Sequence, residues 1–542
     1  MSGMGIYGLS GSGIDVDSMV RMGMLNKQNE YDKMYKKEVR NEWTKEAYAN
    51  MYSDLNKFNS VTMSTYRMSS TSNPQTVSST DSSKVTATAN ADAAQMSHTV
   101  TVNSLASNAY LLTGDTGIVR ENASASKSIY LEDILGITGD YALQPGESIT
   151  MEVSNSDAKD AKKATLTLTY EQIYGNKQTL NDLASAFKKL KDEDGESLGL
   201  SASYDATNDA FTIYNKDSGS ANKIIIKPLD DKAAKLMNNL NLHSVEGGTM
   251  EEAAKTFTKD TATAVEGKDA SVTIDGRKYD KLTSNKITVS NVTYSFQSVS
   301  AGSSATLTVT QDTDKIIENV KKFVEDYNKM LDALNEKYYE EKYKDYDVLT
   351  QTQEKGMTKE QIDKWNEKAK SGLLNHNQTI GKMISEMREA IYTPVESVDS
   401  KYNTMMSIGV SSSTDRGHLT LDEEKLKKAL AADPDCVYQL LTSSGEKVDK
   451  KGKTYTDYGS EGVAQRIGDK VMDVLKEMKD YAGTSTEDDS STLGNLIRDM
   501  KTKMSNFKVM MSAYENMLYK KYDAMETAIQ RLTYQSGYIT GQ

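Results

Sequence analysis

The last fifty residues form one apolar stripe at helical spacing, and no proline interrupts it. Its members recur every three or four positions, which is the period of one face of an α-helix. At a rise of about 1.5 Å per residue, that helix is roughly 60 Å long, about twice the width of a domain core. We therefore expect it to pack against other helices, from this chain or from further copies. The stripe comprises Leu493, Leu496, Met500, Met504, Phe507, Met511, Tyr514, Leu518, Tyr522, Met525, Ile529 and Leu532.

A second, looser stripe predicts another long helix near the N-terminus, within residues 14–58. Asp17 or Ser18 is the expected cap, since these side chains accept hydrogen bonds from the free N–H groups of a first helical turn. Because the two helical ends bracket the rest of the chain, we expect them to pack on each other. The apolar positions of this helix are Tyr31, Tyr35, Val39, Trp43, Ala47, Met51, Leu55 and Phe58.

The middle of the chain favours β-strands, because β-branched residues alternate with polar ones there. Asp275 and Gly276 form an Asp-Gly pair, which predicts a hairpin turn. Thr179 and Asp182 have the spacing of a capping box and predict one helix among the strands. The expected strands lie at 84–89, 98–102, 200–204, 211–214, 271–274, 287–289, 292–296 and 305–310.

Helix resumes at about residue 316, where apolar residues again recur every three or four positions. Capping boxes are expected at Thr358 with Gln361 and at Thr420 with Glu423. The predicted fold class is α+β and multidomain, with long terminal α-helices forming coiled-coil or bundle legs and β-rich head domains inserted between them. Further helices are expected at 315–338, 359–372, 378–391, 422–431 and 462–481.

Composition excludes several classes of function. A net charge of −13 and a pI near 5.1 oppose binding to nucleic acid, which needs an excess of clustered Lys and Arg. No uninterrupted apolar run of about eighteen residues exists, so no membrane span is expected. The single cysteine, Cys436, cannot form an intrachain disulfide or a thiolate metal cage. We expect it to be a small buried side chain where a helix starts.

Neither a catalytic site nor a cofactor site is predicted. Residues 3–8 have the glycine spacing of a dinucleotide-binding loop, but a strand cannot precede them in so short a leader. Asp15 and Asp17 lack the further ligands of a calcium loop, so capping is their expected role. The four histidines are isolated from one another, and no Gly-x-Ser-x-Gly motif occurs. We therefore expect no enzyme activity, no bound metal and no cofactor.

Segments at both ends of the chain and in its helical half carry one shared resemblance. They are residues 8–20 (GLSGSGIDVDSMV), 84–89, 99–106, 285–312, 323–328, 357–374, 407–441 and 519–539. Taken together and in this order, they resemble the flagellar filament capping protein family, flagellar hook-associated protein 2. Residues 111–261 resemble that family least.

The resemblance implies a non-enzymatic assembly protein. It would form an oligomeric complex at the filament tip that retains exported flagellin and promotes its polymerisation at the distal end of the growing filament. The implied partners are further copies of the chain, in a ring that is usually a pentamer, together with flagellin, the filament end and an export chaperone. Secretion through the flagellar export apparatus would need no cleaved signal peptide. Neither nucleic acid nor a membrane is an expected partner.

The resemblance also implies a layout in four parts. Residues 1–42 with 490–542 would form a terminal helical leg, and 43–77 with 312–489 a helical bundle domain. Residues 78–110 with 262–311 would form a β-rich head domain, and 111–261 a variable α+β outer head domain. The expected contacts for assembly and with the filament are Ile14, Val16, Met19, Val20 and the twelve stripe residues from Leu493 to Leu532.

Two alternative functions remain open on the sequence. A flagellin-like or hook–filament junction protein would share the paired terminal helices, but it would join long filaments instead of stopping at small rings. A secreted adhesin with a helical stalk would use residues 111–261 to bind a surface ligand.

Overall fold

The chain folds into two compact units. The first comprises Met1–Pro74 and Thr313–Gln542, and the second comprises Gln75–Asp312. The computed structural model describes residues 15–122, 124, 127–159, 161–398, 401–449 and 451–540, without the side chains of 537–540. Helices account for 43% of the chain and strands for 24%, with a long helix towards each end and sheets between them. The predicted fold class is thereby confirmed, whereas the division into four parts stays a prediction.

The first unit begins with one very long helix. Its N-cap is Asp15, whose carboxylate accepts a hydrogen bond from the backbone N–H of Ser18 at 3.0 Å. The expectation that Asp17 or Ser18 caps the helix was wrong, because both lie inside its first turn. Ile14 and residues 3–8 lie outside the described residues. The elements are α1 (Val16–Lys57), a π-helical turn (Phe58–Met63) that continues it, α2 (Ser64–Tyr66) and α3 (Ser69–Ser72).

The second unit is mainly strands. Its elements are β1 (Gln75–Ser79), β2 (Val85–Ala89), β3 (Ser97–Ser104), β4 (Asn108–Thr113), α4 (Leu131–Leu135), β5 (Ser148–Ser154), β6 (Lys163–Thr169), a π-helical turn (Glu171–Gly175), α5 (Leu180–Lys188), β7 (Leu200–Asp205), β8 (Ala210–Ser218), β9 (Lys223–Pro228), α6 (Asp231–Asn239), β10 (Leu242–Glu246), β11 (Thr249–Met250), β12 (Thr263–Glu266), β13 (Ala270–Ile274), β14 (Arg277–Leu282), β15 (Lys286–Val289), β16 (Val292–Phe296) and β17 (Ala305–Gln311).

Two separate apolar cores stabilise this unit. One lies between the sheets β1-β17-β3-β13-β14 and β15-β16-β2 and contains the buried ring of Tyr294. The other lies between the sheets β11-β10-β4-β8-β7 and β12-β9-β5-β6 and the helices α4, α5 and α6. The strand pairs of these sheets are antiparallel. In β3, β4 and β9, alternate side chains enter a core, as the pleat of a strand requires.

Local signals in the sequence account for two features of the second unit. Asp275 is at the predicted turn between β13 and β14, and its carboxylate accepts a hydrogen bond from the backbone N–H of Thr99 at 2.8 Å. The same carboxylate lies 2.6 Å from the His98 ring, which ties the turn to β3. Thr179 and Asp182 form the predicted capping box of α5, with both reciprocal hydrogen bonds present.

The chain then returns to the first unit. Its remaining elements are α7 (Thr313–Tyr338), α8 (Gln351–Glu354), α9 (Lys359–Lys370), α10 (Gln378–Tyr392), β18 (Val410–Ser412), β19 (Leu419–Leu421), α11 (Glu423–Ala432), α12 (Cys436–Thr442), β20 (Ser444–Val448), β21 (Thr454–Glu461), α13 (Val463–Ala482) and α14 (Thr492–Thr540). The helices expected from periodicity are confirmed to within a few residues at their ends. The two short hairpins were not expected.

One apolar core joins α1, α7, α10, α11, α12, α13 and the first turns of α14. Arg466 of α13 lies fully inside it. Its guanidinium donates hydrogen bonds to the carbonyl oxygens of Tyr458, Thr393, Pro394 and Gly459 at 2.6–2.9 Å. Because a buried cation is tolerated only when it is well paired, these bonds fix the end of β21 and the loop after α10 against α13.

Two capping predictions have different outcomes. Thr358 and Gln361 form the expected box at the start of α9. The box expected at Thr420 and Glu423 was wrong: Thr420 is in β19, and the cap of α11 is Asp422, which accepts a hydrogen bond from the backbone N–H of Lys425 at 3.0 Å. Cys436 is buried at the first position of α12, as expected, and burial raises the pKa of its thiol to about 12.

Mutation can test whether Asp422 caps α11. We expect Asp422→Ala to lower the free energy of unfolding of the first unit by about 1 kcal/mol, because a backbone N–H of α11 loses its acceptor. Urea unfolding monitored by circular dichroism measures it. Thr420→Ala is the matched control and should cost less, and a larger loss in Thr420→Ala than in Asp422→Ala would contradict the assignment.

Candidate assembly surface

The two terminal helices of the first unit pack against each other in antiparallel order. The Tyr519 hydroxyl donates a hydrogen bond to Asp17 at 3.1 Å, and Lys27 Nζ lies 5.6 Å from the centre of the Phe507 ring. Further along, Lys501 contacts Glu42. As numbers rise along α1 they fall along α14, so the two helices run side by side for roughly 40 Å. The predicted packing of the two ends on each other is confirmed.

The predicted contact residues occupy three kinds of position on this pair. Those buried in the packing are Val20, Leu493, Met500, Met504, Phe507 and Leu518. Those half-buried are Val16, Met19, Met511, Tyr514, Tyr522, Met525 and Ile529. Leu496 and Leu532 are exposed. Ile497, which the predicted stripe omitted, is buried beside Leu496. Their proposed role in assembly stays a prediction.

Gly23 allows α14 to approach the backbone of α1 closely. A Cβ atom at this position would lie 2.7 Å from Leu518 Cδ1, well inside van der Waals contact. Leu518 therefore packs directly on the backbone of α1 and is almost fully buried. The spacing of apolar residues in the sequence does not indicate this glycine, because glycine has no side chain to contribute to such a pattern.

An acidic pair interrupts the apolar packing. Glu38 is only 5% exposed, and Lys501 Nζ lies 3.6 Å from its carboxylate and 2.6 Å from that of Glu42. Burial raises the pKa of Glu38 to about 7, and the adjacent Glu42 carboxylate adds to the rise while Lys501 opposes it. Burial and the nearby acidic groups of Glu354 and Glu38 also raise the pKa of the Tyr35 phenol. This part of the packing thus responds to pH near neutrality.

A buried lysine fixes the start of α14. Lys45 of α1 is 3% exposed; its ammonium group contacts Asp489 at 3.0 Å and donates a hydrogen bond to the Glu487 carbonyl oxygen. Burial acts to raise the pKa of Asp489, but hydrogen bonds from Ser491 and Lys45 prevail and hold it below its usual value. The loop before α14 is thereby tied to α1, which sets the register of the two helices.

A second apolar row lies on the outer sides of the pair. Val509, Met510 and Met517 of α14 are exposed, as are Met22 and Leu25 of α1. Met22 and Val509 are 74% and 71% exposed, so they contribute little to the packing within the chain. Sequence reasoning missed this row because it followed a single stripe, although Met510 and Met517 are two helical turns apart on one face.

The far end of α14 extends past the contact between Tyr519 and Asp17. From Tyr519 to Thr540 the helix continues for roughly 30 Å. Leu532 and Tyr534 are exposed on this segment, and charged side chains lie between them and the buried part of the stripe. This part of α14 therefore presents apolar side chains at its surface.

Among the described residues, none of the helices has the length and apolarity that crossing a membrane requires. In the same part of the chain, His, Cys, Asp and Glu side chains do not gather in groups of three or more that could hold a metal ion.

Comparisons with known proteins match most of the chain. The model of the flagellar hook-associated protein 2 N-terminus matches residues 12–109, and that of the flagellar hook-associated protein 2 C-terminus matches residues 267–534. A flagellar hook-associated protein 2 of Halalkalibacterium halodurans is 27% identical over an alignment of 540 positions, gaps included, that covers 95% of each chain. One of Thermotoga maritima is 24% identical over an alignment of 463 positions that covers 79% of this chain and 66% of its own.

Among solved structures, the D1-D2-D3 domains of the flagellar cap protein FliD from Escherichia coli are similar to this chain. The match covers 79% of this chain and 95% of that one, with 18% identity and a TM-score of 0.46. Residues 110–266 fall between the two ranges that the family models match.

The acidic pair predicts that the packing of α1 on α14 weakens as pH rises. Between about 4.5 and 7 the folded state binds a proton at Glu38 that the unfolded state releases, so stability falls with increasing pH across this window. Hydrogen exchange of residues 35–42 and 497–504, corrected for intrinsic rates, should show less protection at pH 8 than at pH 6. The change should be at most about tenfold per pH unit, the limit for one proton.

Glu38→Gln is the matched variant for this test, since glutamine keeps the shape without titrating. Glu461, whose pKa burial and Asp469 also raise to about 7, titrates in the same range and is present in both proteins. The Gln variant should therefore lose the part of the pH dependence that belongs to the helix pair. Equal pH dependence in both proteins would contradict the assignment.

The buried Lys45 should contribute measurably to the stability of the first unit. We expect Lys45→Met to lower the free energy of unfolding by about 1–3 kcal/mol, because Asp489 loses its partner while the apolar stem of the side chain is kept. Urea unfolding measures the loss, and hydrogen exchange should rise first at residues 487–500. Lys33→Met, at an exposed lysine of the same helix, is the control and should change stability by less than about 0.5 kcal/mol. Equal losses would refute the role of Lys45.

Proposed function

Because the chain belongs to the flagellar hook-associated protein 2 family, we propose that it is the cap at the distal end of a bacterial flagellar filament. Proteins of this family form oligomers that cap the filament. In the proposed role the chain retains exported flagellin at the tip and promotes its polymerisation there. The family is a structural one, and the role needs no catalytic step. The joint match of both terminal segments, which the structure packs together as α1 and α14, is the observation that carries the proposal.

Different residues of the terminal helices have different proposed roles. The buried set, which includes Val20 and Leu518, holds α1 and α14 together and acts on assembly by keeping this helix pair intact. The exposed and half-buried set contacts the filament end or a neighbouring copy. Its members are Val16, Met19, Leu496, Met511, Tyr514, Tyr522, Met525, Ile529 and Leu532, and their exposure supports this division. Ile14 belongs to the proposed contacts by sequence alone.

The proposed partners follow from the same role. They are further copies of the chain in a ring, with five copies as the proposed number, together with flagellin, the filament end and an export chaperone. Export through the flagellar channel as an unfolded chain is also proposed. A single cysteine and five prolines support it, because refolding at the tip then needs no disulfide exchange and passes few slow proline isomerisations.

Deletion of the gene in the native bacterium tests the function. We expect flagellin to appear as monomer in the culture medium and filaments to be absent under the electron microscope, because exported subunits are no longer held at the tip. Restoring the full-length chain should restore filaments. Normal filaments in the deletion strain would refute the proposed function.

The same strain can test the contact residues. Complementation with Leu532→Asp should give fewer or shorter filaments, since a charge replaces an exposed apolar contact. Thr533→Asp places the same charge one residue further on and serves as the control, which should complement normally. If both variants complement equally well, Leu532 is not part of the contact.

A further inference from the structure

A long open groove runs along one side of the first unit, beside α1. Its largest cleft, of about 930 Å³, is lined by Tyr343, Tyr346, Trp365, Gln361, Glu367 and Lys368. A second cleft of about 330 Å³ shares Glu340, Glu367 and Ser371 with it, and a third of about 310 Å³ shares Trp43, Glu46 and Lys370 with the second. The three clefts therefore form one elongated groove, which contains both tryptophans of the chain.

The rings at the wide end are held in place by the protein itself. The Trp365 indole N–H donates a hydrogen bond to the Asp347 carbonyl oxygen at 2.7 Å, and the Tyr346 ring lies 4.7 Å from the Trp365 ring. Lys368 Nζ lies 4.6 Å from the centre of the Tyr346 ring and donates a hydrogen bond to its hydroxyl. Rings fixed before binding cost a ligand little conformational entropy.

The loop that supplies Tyr343 and Tyr346 is anchored to α1. The Asp347 carboxylate contacts Arg40 at 2.5 Å and Lys36 at 3.3 Å. Burial acts to raise the pKa of Asp347, but hydrogen bonds from the Val348 backbone N–H and from Lys36, together with the charges of Lys36 and Arg40, hold it below its usual value. The aromatic end of the groove is therefore a built feature of the fold and does not depend on a free loop.

The charges along the groove largely cancel within the protein. Lys370 pairs with Glu46 at 2.9 Å, Lys337 with Glu340 at 3.1 Å, and Lys501 with Glu42 at 2.6 Å. A groove whose cations already face carboxylates offers no strong net field to a charged ligand. Its paired side chains can still donate and accept hydrogen bonds, which suits an uncharged ligand rich in hydroxyl groups.

The walls also exclude two common peptide ligands. An amphipathic helix needs a continuous apolar floor, whereas polar side chains such as Glu340, Glu367 and Lys370 interrupt the apolar lining in the middle of this groove. An extended peptide gains its affinity by adding to the edge of a sheet, and the long walls here are α1 and α9, whose backbone groups bond within the helices.

We propose that this groove binds a neutral oligosaccharide. Sugar rings present an apolar face to the rings of Trp365, Tyr343 and Trp43, while their hydroxyl groups exchange hydrogen bonds with Gln361, Glu367 and Ser371. An amphipathic aromatic surface with a few placed polar groups is the usual make-up of a small-ligand cleft. The linear order of the clefts fits a chain of sugar rings better than a single ring.

Titration of the full-length protein with defined sugars tests the proposal. The probes are maltohexaose, cellohexaose and the hexamer of N-acetylglucosamine, measured by calorimetry and by tryptophan fluorescence. At least one should bind with a Kd below about 1 mM and change the emission of Trp365. Tyr343→Ala and Trp365→Phe should each weaken that binding by about tenfold or more. Tyr343→Ala removes a stacking surface, and Trp365→Phe makes one smaller and loses the N–H bond to Asp347 that holds it in place.

Tyr455→Ala is the matched control, since it removes an exposed tyrosine from β21 in the same unit, away from the groove residues. It should leave the Kd unchanged, and circular dichroism should show all three variants folded. The proposal is overturned if none of the three sugars binds at about 10 mM. Binding that survives in Tyr343→Ala and Trp365→Phe overturns it too. Tighter, salt-sensitive binding of an oligogalacturonate would also overturn the proposal, because it would show that the groove prefers an anionic sugar chain.

Discussion

The antiparallel packing of α1 on α14 is the interaction on which the rest of the first unit depends. The same helix that contacts α14 through Val20 also enters the core of the unit through Tyr48, Met51 and Leu55. The terminal pair and the bundle therefore share one continuous rod, with no linker between them. A force applied to the outer end of the pair is passed directly to the packed core.

The contact between the two helices is mainly apolar and includes a few buried polar interactions. Leucine and methionine side chains provide most of the buried area, and they tolerate small shifts along the helices because methionine is flexible. Lys45 and Glu38 do not tolerate such shifts, since a buried charge or acid separated from its partner loses several hydrogen bonds at once. The apolar residues thus provide affinity between the helices, whereas the buried polar residues set the register and its dependence on pH.

The sequence was most informative where one residue pattern corresponds to one local structure. Periodicity located α7, α13 and α14, and capping spacing located α5 and α9, because each signal lies within a few turns of chain. It was misleading at Thr420, where Asp422 offers an equally good cap two residues later. It did not indicate the outer row of Met510 and Met517 or the groove of Trp43 and Trp365, because only the packed structure decides which row is buried and which distant helices lie side by side.

The π-helical turn at Phe58–Met63 has a mechanical meaning for this rod. A turn with hydrogen bonds five residues apart holds one residue more than an α-helical turn, so side chains beyond it are rotated by roughly 100° about the axis. Tyr48, Met51 and Leu55 enter the core of the bundle before the turn, and Phe58, Met63 and Tyr66 enter it at and beyond the turn. The turn therefore acts as a phase shift in a continuous rod, because its extra residue changes which later positions face the core.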